Sequence, residues 1–292
     1  MAQSGKTTLA LHAIASVQAD GGRCAFLDAE CAMDLEYATS LGVDSAGWDL
    51  FSPPSAEAAT DIAIEAAESS LYKLIVIDSV AALSPQEELD KGMAEFTIGL
   101  LARVMSKFLR KITQTLGRTQ TCLVLINQLR ANIGGYGPSE LTTGGNAIKY
   151  YCTTRMMIRA PKSGIIGPGD APYGIRSKVT VTKNKLAAPH RTGEFDIIFG
   201  SGISWASSVL EVAAKKGIVS VKGSWYEYRG NREQGKERFK RLLEEDPDLL
   251  AELERLCRSG EEPESADPMS AEPESAEPEG AEPEGAEPEG AE

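Results

Sequence analysis

Residues 74–79 read Leu74-Ile75-Val76-Ile77-Asp78-Ser79, four consecutive apolar side chains followed by a carboxylate and a hydroxyl. A short apolar run without polar alternation is typical of a β-strand that is buried on both faces. Similar runs occupy residues 24–27, 122–126 and 155–158, and helical patterns lie between them at residues 60–71 and 99–116. Strands and helices that alternate in this way predict an α/β fold with a mostly parallel, doubly wound sheet.

The sequence pattern changes after this region. Residues 179–182 alternate in polarity and residues 195–199 form another β-type run, so we expect antiparallel strands that extend the sheet. A short helix at residues 209–216, a hairpin near Gly223 and a helical stretch broken at Pro247 then predict a small C-terminal α/β lobe. The predicted boundaries are a core at residues 1–203, a lobe at 204–258 and a tail at 259–292.

The negative charge of the chain is concentrated in its tail. The 292 residues carry a formal net charge of -13, but residues 259–292 hold 13 acidic residues and neither Lys nor Arg, which leaves 30 acidic and 30 basic residues elsewhere. The tail repeats Ala-Glu-Pro-Glu with Gly or Ser and has no aromatic residue, so we expect it to be disordered. The balanced body remains compatible with nucleic acid as a partner.

The cysteines and the hydropathy of the sequence indicate the kind of cellular compartment in which the protein works. The five cysteines are far apart, none forms a Cys-x-x-Cys pair, and there are only two histidines, which argues against a zinc site or a disulfide framework. No window of 18 uncharged apolar residues occurs, so no membrane span is expected. A reducing, cytoplasmic setting fits these features best.

A candidate phosphate-binding loop lies at the start of the sequence. It reads Ser4-Gly5-Lys6-Thr7-Thr8 and matches the second half of the pattern G-x-x-x-x-G-K-[ST], whose first glycine would fall before Met1. Backbone N–H groups at a helix start can bind phosphate oxygens, with Lys6 on the β- and γ-phosphates and the Thr7 hydroxyl on Mg²⁺. The alternative is an ordinary helix N-cap by Ser or Thr.

Three further polar side chains follow predicted strands. Asp78 could hold the Mg²⁺ shell, although Asp at a strand end is also common in turns. Glu30 could deprotonate the attacking water, and Gln128 could sense the γ-phosphate and pass its state to the next loop. Because the carboxyl ends of parallel strands meet at one edge of the sheet, we expect these side chains to lie together.

Two segments could bind DNA. Residues 129–145 are long and glycine-rich, with Arg130 for phosphate contacts and Tyr136 for stacking on bases; the alternative is a surface loop without function. Arg103, Lys107 and Arg110 are spaced by four and three residues, so they would form a positive stripe on one helix face. A solvated helix face is the alternative for the stripe.

Taken together, these motifs resemble those of the bacterial RecA recombinase family. The resemblance runs in order over about residues 3 to 257. Its matching stretches are residues 28–30, 76–83, 126–130, 142–151 and 183–189.

The resemblance implies a RecA-like P-loop NTPase core that forms a helical filament on single-stranded DNA, with ATP and Mg²⁺ between neighbouring subunits. It also implies homologous pairing, self-cleavage of an SOS repressor as a partner reaction, and duplex DNA gathered by the small lobe. Glu30, Gln128, Lys183 and Lys185 would be catalytic, the last two reaching the neighbouring subunit's nucleotide. The resemblance further implies ATP-binding roles for Ser4, Gly5, Lys6, Thr7, Thr8, Asp34, Tyr37 and Asp78, Mg²⁺ contacts for Thr7 and Asp78, and DNA contacts for Arg103, Lys107, Arg110, Arg130, Tyr136, Gly144 and Gly145.

The sequence also departs from the family pattern. The family has an N-terminal helix and strand that dock onto the next subunit and a strand that leads into the P-loop, whereas this sequence begins inside that loop. The alternative is therefore a non-catalytic relative that binds DNA or caps filaments without productive ATP turnover. Glu30, Gln128, Lys183 and Lys185 favour the recombinase, and the Lys183-Asn184-Lys185 element argues against a hexameric helicase.

Overall fold

The computed structural model describes residues 4–92, 99–131 and 140–259. Tyr136 of the predicted DNA-binding segment 129–145 and the acidic repeats beyond Ser259 lie outside the described residues. The chain divides into two compact units, Met1–Val212 and Ala213–Glu292. No helix in the described ranges is both long and apolar enough to cross a membrane.

The secondary structure alternates as expected through the first half of the chain. The helices are α1 (Lys6–Ala19), α2 (Leu35–Ser40), α3 (Ala56–Glu68), α4 (Gln86–Leu89), α5 (Leu100–Thr119), α6 (Ala147–Tyr151), α7 (Trp205–Lys215), α8 (Lys236–Glu245) and α9 (Pro247–Ser259). The strands are β1 (Arg23–Asp28), β2 (Trp48–Phe51), β3 (Tyr72–Asp78), β4 (Cys122–Leu125), β5 (Leu129–Ala131), β6 (Glu140–Thr142), β7 (Thr154–Arg159), β8 (Ile165–Ile166), β9 (Gly174–Asn184), β10 (Thr192–Ile198), β11 (Gly202–Ile203), β12 (Ser220–Lys222), β13 (Trp225–Tyr228) and β14 (Asn231–Gln234).

A four-stranded parallel sheet forms the centre of the first unit, in the order β2-β1-β3-β4. Its side chains alternate between two apolar layers. Phe26 and Val76 pack on the side of α1, while Ile75 and Ile77 pack on the side of α3 and α5. All four of these side chains are fully buried, and burial of one such side chain contributes about 1.5–3 kcal/mol. The predicted α/β fold with a mostly parallel, doubly wound sheet is confirmed.

The later strands differ from the expectation that they extend this sheet. Strands β7, β9, β10 and β11 form a separate antiparallel sheet in the order β11-β10-β9-β7, with β8 paired to β9. The apolar run at residues 155–158 forms most of β7, but Met156 is 56% exposed rather than buried. A continuous apolar run does not show which strand will pair with it or in which direction, because periodicity carries neither.

The second unit contains a three-stranded antiparallel sheet and two helices. Strands β12 and β13 form the hairpin expected around Gly223, which has a φ of 63°, and β14 adds a third strand. Helices α8 and α9 meet at Pro247, where the helical pattern was predicted to break. Phe239 and Leu253 are fully buried between these elements.

Candidate active site

The loop at residues 4–6 turns sharply into α1. Gly5 is the N-cap residue of α1 with a φ of 83°, and no side chain caps the helix. The expected alternative of an ordinary Ser or Thr N-cap is therefore wrong. The start of this 14-residue helix is the kind of arrangement that binds phosphate.

The antiparallel sheet contacts this loop directly. Ser177 of β9 is fully buried, and its hydroxyl donates a hydrogen bond of 3.1 Å to the backbone oxygen of Ser4. A Cβ placed on Gly5 would clash with Cδ1 of Ile197 in β10, so this position requires glycine for space as well as for its φ. The Lys6 ammonium donates to Ser4 Oγ at 3.4 Å.

Thr7 and Asp78 meet at the carboxyl edge of the parallel sheet. The Thr7 hydroxyl donates to Asp78 Oδ2 at 2.5 Å, and Asp78 is 7% exposed. Burial raises the pKa of the Asp78 carboxyl, and the nearby carboxylates of Glu30 and Asp28 raise it further, against the lowering effects of Thr7 and Lys6. A buried carboxylate with too little positive charge around it fits a divalent cation.

The donor set also fits Mg²⁺ in particular. Within the described ranges, no cluster of three or more His, Cys, Asp or Glu side chains could hold a metal by itself. Mg²⁺ is usually bound through one or two protein oxygens together with substrate phosphates and waters, rather than by a cage of protein ligands. Thr7 and Asp78 supply those protein oxygens beside the start of α1.

Glu30 and Gln128 lie at the same edge of the sheet. Oε1 of Glu30 accepts hydrogen bonds from Ser79 Oγ at 2.6 Å and from Gln128 Nε2 at 3.0 Å. Asp28, the last residue of β1, accepts the backbone N–H groups of Glu30 at 3.2 Å and Met33 at 2.9 Å, and so shapes the loop that carries Glu30. The structure thus brings together the three strand-end residues that the parallel topology predicted to meet.

Asp34 and Tyr37, which have predicted ATP-binding roles, lie at the start of α2. Asp34 caps α2 by accepting the Tyr37 N–H at 2.9 Å. The Tyr37 hydroxyl lies 3.1 Å from Thr8 Oγ1, which joins α2 to the first turn of α1. Tyr37 is therefore held next to the phosphate loop, and its contact with ATP stays a prediction.

The two lysines predicted to reach a neighbouring subunit lie near α6. The Lys183 ammonium donates to the backbone oxygens of Lys149 at 2.8 Å and Tyr150 at 2.9 Å, which are carbonyls of the last turn of α6. Lys185 is exposed just after β9, and its N–H donates to the Thr153 oxygen at 3.0 Å. A cation at a helix C-terminus is a stabilising arrangement. The roles of both lysines toward a neighbour stay predictions.

The predicted DNA contacts fall into two groups. Arg103, Lys107 and Arg110 are exposed on the face of α5 that lies away from the apolar core, and Arg130 is exposed on β5. Gly144 and Gly145 both have a positive φ, but a Cβ on Gly144 would lie 2.9 Å from Val80 Cγ1 and 2.7 Å from Ile148 Cδ1. In this structure Gly144 is a close-packing position, and its predicted contact with DNA stays a prediction.

Several residues that shape this site had no predicted role. Ser79 directly follows Asp78, and Asp28 lies two residues before Glu30, so their places at strand ends could have pointed to them. Asn127 directly precedes the predicted site residue Gln128. Ser177 gave no local signal, because its partner Ser4 is 173 positions away in the sequence.

The sequence matches two domain families that lie next to each other in the chain. The RecA N-terminal domain family matches residues 1–204, and the RecA C-terminal domain family matches residues 207–260. Among solved structures, the crystal structure of the RadB recombinase aligns with a TM-score of 0.49 and 17% identity, covering 68% of this chain and 84% of that chain.

Curated relatives match over most of their own length. Protein RecA of Picosynechococcus sp. is 48% identical over 250 residues, covering 85% of this chain and 72% of that protein. Protein RecA of Syntrophus aciditrophicus is 46% identical over 257 residues, covering 87% of this chain and 74% of that protein. Because both domain families match in order and the relatives align over most of the chain, this chain belongs to the RecA family of recombinases.

Proposed function

We propose that the chain is an ATP-dependent recombinase that binds single-stranded DNA and pairs it with homologous DNA in repair and the SOS response. Recombination and repair follow from membership of the RecA family. The observation that carries the finer proposal is the cluster at the carboxyl edge of the parallel sheet, where Thr7 bonds Asp78 and Gln128 bonds Glu30. A non-catalytic relative is not favoured, because both RecA domain families match and the curated RecA relatives align over most of the chain.

The proposed mechanism assigns a task to each group in the cluster. The N–H groups of the first turn of α1 and the Lys6 ammonium would bind the phosphates, and Thr7 and Asp78 would hold Mg²⁺. Bound Mg²⁺ supplies charge neutralisation at the β- and γ-phosphates. Glu30 would accept the proton of the attacking water, with its carboxylate oriented by the hydroxyl of Ser79 and the amide of Gln128.

Several parts of the proposal concern partners. In a filament, Lys183 and Lys185 would contact the nucleotide bound to the neighbouring subunit. The exposed face of α5 and Arg130 would contact DNA phosphates. Duplex DNA would contact the C-terminal lobe, and the DNA-bound filament would promote self-cleavage of an SOS repressor. A cytoplasmic location is part of the same proposal, since all of these partners occur there in bacteria.

ATP hydrolysis by the full chain, with and without single-stranded DNA, tests the proposal. Glu30→Gln preserves an oxygen that can accept from Ser79 and Gln128 but removes the carboxylate base, so hydrolysis should fall about 10²–10⁴-fold while ATP still binds. Glu36→Gln, an exposed glutamate in the first turn of α2, is the matched control and should hydrolyse ATP like the wild type. If the wild type binds no ATP, or if Glu30→Gln hydrolyses it normally, the proposal is wrong.

A further inference from the structure

Two side chains of the antiparallel sheet contact the phosphate loop at residues 4–6. The Ser177 hydroxyl of β9 donates to the Ser4 backbone oxygen at 3.1 Å. Ile197 of β10 fills the space beside Gly5, where an added Cβ would clash with its Cδ1. Both side chains are buried, and we call them the loop platform. The position of the loop therefore depends on the position of these two strands.

A buried ion pair lies on the other face of the same two strands. Side chains alternate between the two faces of a strand, so Arg176 and Asp196, which directly precede the platform residues, point away from the loop. They are register partners across β9 and β10. Asp196 is 2% exposed, and its two carboxylate oxygens accept from Arg176 Nε at 2.7 Å and Nη2 at 3.0 Å.

Helix α7 contributes a third member to this network. The buried Ser207 hydroxyl donates to Asp196 Oδ2 at 2.5 Å. The N–H of Ser204, the residue before α7, donates to the Asp196 backbone oxygen at 2.8 Å. Asp196 thus joins β9, β10 and the start of α7. We call Asp196, Arg176 and Ser207 the aspartate anchor.

The aspartate anchor is better suited to fixing a position than to adding stability. Burial of the Asp196 carboxylate costs desolvation free energy that offsets much of its attraction to Arg176. The bidentate geometry, in contrast, restricts the distances and angles at which the two strands can lie. Apolar contacts lack this directionality, because the hydrophobic effect depends on buried area rather than on angle. The anchor therefore determines where the loop platform lies.

We propose that Asp196, with Arg176 and Ser207, is a positioning residue that sets how tightly the phosphate loop binds ATP, an inference that rests on the proposed ATPase function. Glu30 and Gln128, which are proposed to act on the attacking water, follow strands of the separate parallel sheet. A displaced loop platform should therefore weaken phosphate binding equally in the ground state and the transition state. Such a loss raises KM and leaves kcat nearly unchanged.

Asp196→Asn tests the anchor, because the amide keeps the volume of the carboxylate but removes its charge and one acceptor. Asp49→Asn is the matched control. Asp49 also accepts two hydrogen bonds from an arginine on a neighbouring strand, Arg23, at 2.9 Å each, and one from a hydroxyl, that of Tyr72, at 2.6 Å. Arg23 begins β1 and Tyr72 begins β3, so this group lies at the end of the parallel sheet opposite to Asp78.

The measurements are titration of the full chain with a fluorescent ATP analogue and Mg²⁺, and ATP hydrolysis in the presence of oligothymidylate. Asp196→Asn should bind the analogue at least tenfold more weakly and raise KM by a similar factor, with kcat within threefold of the wild type. Asp49→Asn should match the wild type in all three values. Unchanged analogue affinity in Asp196→Asn, a fall in its kcat as large as the rise in KM, or an equal loss of affinity in Asp49→Asn would overturn the proposal.

Ser207→Ala is a milder variant that decides the question if Asp196→Asn does not fold. It removes one donor to Asp196 and leaves the ion pair with Arg176 in place. We expect it to bind the analogue at least threefold more weakly than the wild type, with kcat unchanged. Wild-type affinity in Ser207→Ala would show that the anchor does not set the position of the loop.

Hydrogen exchange keeps the inference separate from the proposed function. Without nucleotide, the amides of residues 9–11 in α1 should exchange at least tenfold faster in Asp196→Asn than in the wild type, whereas those of residues 24–27 and 74–77 should be unchanged. Equal exchange at residues 9–11 would refute the positioning role. If exchange changes as expected but the wild type binds no ATP analogue, the proposed function fails and the effect on ATP affinity fails with it, whereas the anchor's hold on the loop stands.

Discussion

Replacing Gly5 by alanine should destabilise the fold by two separable effects. Gly5 has a φ of 83°, a left-handed conformation that costs an L-residue about 1–2 kcal/mol. The new Cβ would also clash with Cδ1 of Ile197, which is 4% exposed and has little room to move. Overpacking of this kind costs about 1–3 kcal/mol, so the two effects together predict a loss of about 2–5 kcal/mol.

Ile197→Val can separate the two effects. It removes Cδ1 and leaves Cγ1 at 3.5 Å from the added Cβ, an ordinary van der Waals contact. Alone it should cost about 0.5–1.5 kcal/mol. The double variant should therefore be less destabilised than the sum of the single variants by about 1–3 kcal/mol, because the clash is relieved while the φ penalty remains.

Urea unfolding of the four proteins in this cycle measures the coupling. Gly21→Ala is the matched control: Gly21 has a φ of 77°, but no atom lies within 4 Å of the added Cβ. It should cost only the φ penalty of about 1–2 kcal/mol, and Ile197→Val should not rescue it. Additivity of Gly5→Ala and Ile197→Val within about 0.5 kcal/mol would refute the steric argument.

Three further predictions concern charge. Asp78→Asn should raise the urea midpoint of the nucleotide-free protein at pH 8 and weaken Mg²⁺-dependent ATP binding. Because burial raises the pKa of the Asp78 carboxyl, the folded state binds its proton more tightly than the unfolded state, so stability is lost as pH rises. An unchanged midpoint would contradict this reasoning. The neutral His12 ring accepts the Ile203 N–H at 2.9 Å, and burial lowers the pKa of His12. The folded protein should therefore lose stability as pH falls below about 6.5. His12→Gln should reduce the change in melting temperature between pH 7.5 and 5.5. Arg103→Ala should reduce the slope of log DNA affinity against log salt by about one, whereas Arg118→Ala at the far end of α5 should leave it unchanged.

The sequence predicted the strands that are covered on both faces. In β1 and β3 the burial of both faces produces a continuous apolar run, and this signal does not depend on partners. Strand β2 was missed because Asp49 interrupts its apolar run; this carboxylate pairs with Arg23 at 2.9 Å. Strand β7 was predicted as a strand, but its antiparallel pairing with β9 depends on residues distant in the chain.

In the candidate site, too, some features were predictable from the sequence and others depend on residues distant in the chain. The meeting of Glu30, Asp78 and Gln128 was predictable, because residues that follow parallel strands share one edge of the sheet. The contacts that hold the site in shape were not, since they connect elements whose relative placement the motifs do not carry. The hydrogen bond from the Ser177 hydroxyl to Ser4 and the hydrogen bonds between Asn127 and Thr143 are of this second kind.

The segment from Thr143 to Tyr151 is held at both ends by residues linked to proposed nucleotide contacts. Asn127 holds its beginning next to Gln128, and Lys183 holds its end at the last turn of α6. Gln128 is proposed to face the nucleotide of its own subunit, and Lys183 that of the neighbour. If DNA changes this segment, binding free energies require reciprocity: the factor by which ATP raises DNA affinity must equal the factor by which DNA raises ATP affinity. If both proposed contacts exist, a segment held at both ends would couple DNA to both nucleotides, whereas a segment held at one end would couple DNA to only one of them.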